Sequence, residues 1–196
     1  MTGFTLYDYT TPNSQLVKDL KLEKHIEGGY FAETQRDEHV VSSPLAGGAP
    51  RPISTTIYYL LTAEEPRGYF HRNKSHTMHV LHQGRSQYTL IIPNPSGPPS
   101  VTHATMGADA SAGETRQLFV GSNVWKMSQI PEEDVALAKK NGAEESVGCL
   151  ITEVVSPGFV WEDHEWMTMK DLEDLFEGVE GGKEKMKEFV KYIRPE

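Results

Sequence analysis

The chain has 196 residues, about one domain, and is long enough to bury roughly 70% of its unfolded surface. Nineteen Lys and Arg against 28 Asp and Glu give a formal charge of −9, which argues against nucleic acid or an anionic membrane as partner. No run reaches the ~20 apolar residues of a membrane span, the opening MTGFTLYDYT lacks the basic start and apolar core of a secretory leader, and the single Cys149 excludes an intrachain disulfide and a multi-cysteine zinc site. A reducing, cytoplasmic setting is the expectation.

Residues 14–24, SQLVKDLKLEK, read as a short helix with Ser14 as cap and Val17 and Leu20 on one stripe; EGGYF at 27–31 breaks it. SPLAGGAPRP at 43–52 reads as a loop. The pattern then changes to short strand-like runs: Ser54–Leu61, Thr77–Leu81, Gln87–Ile92, Val101–Met106, Arg116–Val120, Val124–Met127 and Val147–Val155. Turn signals such as PNPSGPP and GADASAGE separate them, which suggests a β-sandwich or barrel. One helical excursion interrupts the series, PEEDVALAKKNG at 131–142, with Pro first, acids in the first turn and lysines in the last. In the tail, Thr168 can cap MKDLEDLF, with Leu172, Leu175 and Phe176 on one face. KEKMKEFVKYI then puts Met186, Phe189, Val190 and Ile193 on one stripe.

Four of the eight histidines fall within twelve residues: His71, His76, His79 and His82. A barrel interior lined by imidazoles is either a metal site or an acid–base site. His71 and His79 share a side if strand alternation carries through the RNKS turn between them. His76 and His82 read as exposed.

The stretch GYFHRNKSHTMHVLHQG resembles the first cupin motif, a His-x-His pair followed by Glu and a closing Gly. Counting back from Gly84, the ligand positions fall on His71, Asn73 and Thr77. VGSNVWKM is similar to the second motif, with Gly121 at its Pro, Asn123 at its Gly and Lys126 at its His. Only His71 is a good divalent-metal ligand, so the standard cupin metal site is expected to be absent. Five blocks in one order (LKLEKHIEGGYFAET, TTIYYLL, GYFHRNKSH, VGSNVWK and VVSPGFVWEDHE) resemble the "cupin-five" subfamily. It is a domain of unknown function, similar in fold to dTDP-sugar keto-epimerases. The resemblance implies an all-β cupin double-stranded β-helix, a jelly-roll barrel, with short N- and C-terminal helices packed outside. Residues 14–167 would form the barrel with its first helix, and 168–196 a helical tail of the same single domain. It also implies a homodimer. The excursion at 131–142 reads as an insertion near the barrel mouth.

Trp125 and Lys126 must face opposite sides of their strand, so one of them should lie outside, and the sequence does not say which. A buried Lys126 would have a lowered pKa and serve as acid, base or oxyanion partner. His71 and His79 would move protons. One of Tyr58 and Tyr59 must face inward, and Tyr59 joins the catalytic candidates, although a strand tyrosine more often serves packing. Glu33, Arg72, Asn73, Thr77, Tyr88 and Trp125 are the candidates for binding substrate. Glu27, Gly28 and Gly29 read as a structural turn, and Asp163, His164 and Glu165 as a polar rim rather than metal ligands. The expected function is metal-independent acid–base chemistry next to the carbonyl of a small molecule: isomerisation, epimerisation, cyclisation or elimination, with no cofactor. The alternatives are a divalent-metal dioxygenase using His71, His76 and His79 with His103, and a binding protein without catalysis.

Overall fold

A computed structural model describes residues 9–195; the reading of the first ten residues as no leader falls largely outside them. Among the described residues, thirteen strands make two antiparallel sheets and a small hairpin. The first sheet runs in the order β1 (Glu23–Lys24), β2 (Tyr30–Arg36), β5 (Thr55–Thr62), β12 (Gly148–Ser156), β7 (His76–Gly84) and β10 (Gln117–Val120). The second runs β13 (His164–Trp166), β6 (His71–Asn73), β11 (Trp125–Gln129), β8 (Ser86–Ile92) and β9 (Ser100–Met106). β3 (Val40–Ser42) pairs with β4 (Pro50–Pro52), so the segment read as a loop at 43–52 closes a hairpin and ends in a strand. This is the jelly roll of the double-stranded β-helix, with two sheets whose inner faces enclose the interior.

The interior has an apolar end and a polar end. Tyr59, Leu61, Leu81, Tyr88, Met106, Ile130, Val147, Cys149 and Ile151 fill the apolar end. Alternation in β7 sends Thr77, His79 and Leu81 inward. On the first sheet's outer face, α1 (Asn13–Asp19) lays Leu16 against Leu60 and Leu150. Pro12, not Ser14, holds the cap position of α1, and the chain has turned into β1 by Glu23.

The second sheet's outer face is covered by the tail. α3 (Met169–Phe176) and α4 (Gly182–Phe189) bury Leu172, Phe176 and Phe189 against Phe70, Ile91, Trp125 and Met127. Thr168 and Asp171 form the capping box at the start of α3. The 131–142 excursion is α2 (Glu132–Asn141), started by Pro131 and ended by a left-handed Gly142. It leads into Gly148, the first residue of β12 and the partner of Gly84. The open cavity lies towards the other end of β12, at Glu153 and Val155. The excursion therefore lies at the far end of the barrel from the cavity, not at its mouth. No helix among the described residues is long and apolar enough to cross a membrane.

Candidate functional site

Two cross-strand couples face each other across the barrel. On the second sheet Lys126 is the register partner of His71, through the β11–β6 pair. On the first sheet Glu153 is the partner of His79, through β12–β7. Lys126 Nζ spans the gap, 2.8 Å from Glu153 Oε2 and 3.0 Å from His79 Nε2. His79 Nδ1 stands 3.2 Å from the Leu118 carbonyl. A carbonyl only accepts, so Nδ1 carries the ring proton and Nε2 presents a lone pair to the ammonium. Burial alone would raise the Glu153 carboxyl; the Lys126 ammonium and its hydrogen bond, with the His79 ring alongside, hold it well below the usual carboxylate range instead.

A second cluster lies beside the first. Gly28 and Gly29 have φ of +96° and +68°, and a Cβ on Gly28 would collide with the Arg67 carbonyl. This glycine-only turn swings Glu27 inward. Its carboxylate accepts a hydrogen bond from His164 Nε2 at 2.8 Å and lies 3.4 Å from His71 Nε2 and 3.6 Å from His25 Nδ1. Burial would raise the Glu27 carboxyl, but His71, the bond from His164, His25 and Lys126 outweigh it and lower it to about 2. His71 is pushed the other way. Burial first, then Lys126 and His164, outweigh the pull of Glu27 and lower it to about 4. At neutral pH the pair is a carboxylate beside a neutral imidazole. His71 Nδ1 donates to the Tyr69 carbonyl at 2.8 Å, so the Nε2 lone pair faces the cavity.

That cavity has a volume of about 400 Å³. Its polar floor is His25, Glu27, His71, Lys126, Glu153 and His164. An apolar wall that includes Phe31, Ile57, Val155, Phe159 and Trp161 completes the lining. Trp161 is 53% exposed and sits at the rim. The turn after β12 brings the rim aromatics round, with Gly158 N donating to the Pro52 carbonyl.

The structure places the sequence candidates unevenly. His71 and Lys126 meet at the cavity floor, while His79 lies fully buried behind Lys126. Tyr59 is the inward tyrosine and lines a small recess beneath the floor together with Tyr88. Burial raises both phenols well above their ordinary value. Glu33, Asn73 and Thr77 line the cavity, with Glu33 held by Arg36 at 2.6 Å. Arg72 and Trp125 do not line it. Arg72 stacks on the Trp125 ring at 4.3 Å and pairs with Glu165 at 2.8 Å. Trp125 packs with Phe70 and Met127 in the core beneath the tail helices. The expectation that one of Trp125 and Lys126 lies outside is corrected: both are buried, because the tail turns the outer face of β11 into a second core.

Glu27 and His164 are the residues that sequence reasoning misplaced. Glu27 was read as part of a turn and His164 as rim, yet both reach the floor. The signal available was a His-x-Glu immediately before two glycines, which aims an acid inward at a turn. The alternative metal set is also corrected. His76 accepts from the Ser122 amide, and His103 faces Thr89 on an exposed strand. These two are not gathered with His71.

The standard cupin ligand positions do not fit a metal. Lys126 is engaged by Glu153 and His79. Asn73 Oδ1 accepts from the Ser75 amide, and Thr77 offers a neutral hydroxyl. The second-motif turn does keep its shape: Asn123, at the Gly position, has φ +57°, which Asn tolerates.

A family model described as Cupin superfamily (DUF985) matches residues 14–167. The uncharacterized protein YML079W of Saccharomyces cerevisiae is 39% identical over 166 residues, which is 80% of this chain and 76% of the yeast protein. Among solved structures, a hypothetical protein from Leishmania major has a TM-score of 0.72 at 30% identity, covering 89% of this chain and 98% of its own. Protein SO0799 from Shewanella oneidensis has a TM-score of 0.72 at 25% identity, covering 95% and 100%.

Proposed function

The chain belongs to the Cupin superfamily (DUF985), and on that premise we propose that its barrel cavity is an active site for proton transfer next to the carbonyl of a small molecule. The observation that carries this is His71. Its Nδ1 is tied to the Tyr69 carbonyl, so its Nε2 lone pair points into the cavity at the level of the Lys126 ammonium, its strand neighbour.

The chemistry follows from these positions. A substrate carbonyl oxygen set against Lys126 Nζ polarises towards the ammonium. His71 Nε2 takes the proton from the neighbouring carbon. The C–H electron pair becomes the enolate, whose oxygen Lys126 stabilises. The Glu27 carboxylate steadies the imidazolium that results. Return of the proton to the other face or the other carbon gives epimerisation or isomerisation; loss of a leaving group on the far carbon gives elimination. Glu153 and His79 position Lys126. The apolar wall of Phe31, Ile57, Phe159 and Trp161 suits a substrate with an aromatic or aliphatic body.

The test is proton exchange. The protein is incubated in D2O with a panel of apolar ketones and α,β-unsaturated carbonyl compounds, and deuterium uptake is followed by NMR. Exchange is expected for at least one class. Lys126→Met should lower the rate about 100–1000-fold, as loss of an oxyanion donor does, and His71→Ala about 100–10000-fold. A folded His71→Ala that exchanges at the unaltered rate, or ligands that bind without exchange, would overturn the reading. The lowered His71 also fixes the pH profile: exchange rises through about pH 4 and is level at neutrality.

A further inference from the structure

We propose that Glu27, His71 and His164 hold a divalent transition-metal ion at the cavity floor, a site displaced from the four positions that the fold's standard motifs supply. The proposal goes beyond the proton-transfer reading and meets it at one atom, since His71 Nε2 holds an ion or takes a proton, not both at once.

Four observations carry it. One ligand atom from each of the three residues lies within 4.8 Å of the other two. Neighbouring donors around an ion with ~2.1 Å bonds in tetrahedral geometry stand about 3.4 Å apart, and His71 Nε2 and Glu27 Oε2 are 3.4 Å apart.

The second observation is the direction of the His71 lone pair. With Nδ1–H given to the Tyr69 carbonyl, Nε2 and the Glu27 carboxylate are two electron-rich atoms turned towards each other. No proton lies between them in that tautomer. An imidazole whose far nitrogen donates to a backbone carbonyl is the arrangement by which proteins orient a metal-binding His.

The third is rigidity. The donors come from three separate elements: the glycine turn before β2, strand β6 and strand β13. The His71 and His164 rings stack 5.2 Å apart at 15°, and the Trp166 ring edges against both. Such support keeps ligands within the tolerance a metal needs.

The fourth is charge. Two carboxylates, Glu27 and Glu153, face the single ammonium of Lys126 at the floor, and the net negative charge there attracts a cation. The floor opens into the cavity, which gives an ion its entry path. Two imidazoles and one carboxylate favour iron, cobalt, nickel or zinc over magnesium or calcium. His25 Nδ1, 3.6 Å from Glu27 Oε2, flanks the site as a third imidazole.

Full-length protein freed of metal on a chelating resin is titrated with Co2+ by visible absorption and with Zn2+ by calorimetry. One equivalent is expected to bind. Glu27→Gln and His164→Gln should each weaken it by about 100-fold or more, since losing a group that only orients a ligand already costs about 10–100-fold. His76→Gln and His103→Gln should leave it unchanged. Circular dichroism checks that each variant folds. Should the ligand variants not fold, Mn2+ added to the unaltered protein should broaden the ring NMR signals of His71 and His164 before those of His76, His82 and His103. Absence of stoichiometric binding, binding that survives both ligand substitutions in folded protein, or broadening centred on His76 or His103 would overturn the proposal. Lys126→Met separates the two readings. It should lower exchange about 100–1000-fold yet still bind one equivalent of Co2+, so loss of metal binding and loss of exchange are scored independently.

Discussion

An ammonium taken out of water costs several kcal/mol unless a carboxylate meets it, and Lys126, 7% exposed, has Glu153 at 2.8 Å. The cost of breaking such a pair falls on the partner left behind. Glu153→Leu should therefore destabilise the fold by about 3–5 kcal/mol. The double variant Lys126→Met with Glu153→Leu removes both charges and should regain much of that loss, while exchange activity stays low. Urea denaturation of the three proteins measures it; a double variant less stable than Glu153→Leu alone would mean that the pair is not what sets the cost. At this scale the sequence was legible where chemistry sits in a motif. His71 was singled out by the spacing from Gly84, and it lies on the floor. Lys126 could not be oriented from its strand, because both faces of β11 are buried and the apolar–polar alternation that fixes a register is lost. Glu27 was hidden for a different reason. Its function depends on where two glycines turn the chain, a φ-angle property that periodicity does not record.

The tail helices convert a strand face that would meet water into a core. Leu172 is fully buried, and it packs with Phe70, Trp125 and Met127. Leu172→Ala should cost about 2–5 kcal/mol, and Thr168→Ala about 1 kcal/mol through the lost capping box. Since Trp125 backs the strand that carries Lys126, thermal melting of Leu172→Ala should show the loss even though the residue is remote from the cavity. A Leu172→Ala protein with an unchanged melting temperature would show that the tail only rests on the barrel. The elements legible in the sequence were those with strong local signals. α2 is bounded by Pro131 and Gly142, α3 by its cap, and β5, β8 and β12 by long β-branched or apolar runs. The strands missed were β1, β2, β3, β4, β6 and β13. β6 and β13 are three residues long, and β2 is mostly exposed and polar. Their pairing comes from neighbouring strands rather than from their own composition. Those same strands carry or adjoin His71, His164 and Glu33, which is why the cavity was harder to read than the fold.

The whole molecule should weaken in acid, and the cavity sets the window. His71 titrates at about 4 in the folded protein against 6.5 when unfolded, and His25 is lowered in the same direction by burial. Between pH 6.5 and about 4 the unfolded chain binds a proton at His71 that the folded chain refuses. Stability then falls with falling pH, by up to about 1.4 kcal/mol per pH unit for each such group. Glu27 extends the decline. It is lowered to about 2 in the fold against 4.5 unfolded, so its contribution is present above pH 4.5 and is lost as pH falls towards 2. Glu153 acts in the same sense. Above pH 6.5 these groups bind equal numbers of protons folded and unfolded and contribute no slope. Urea midpoints measured from pH 8 to pH 4 should be level at the alkaline end and drop steadily below 6.5. His71→Gln will differ in absolute stability, but the slope is the diagnostic: it should be shallower between pH 6.5 and 4. A His71→Gln protein whose slope matches the unaltered one would place the acid sensitivity outside the cavity and would remove the neutral, buried imidazole on which the proton-transfer reading depends.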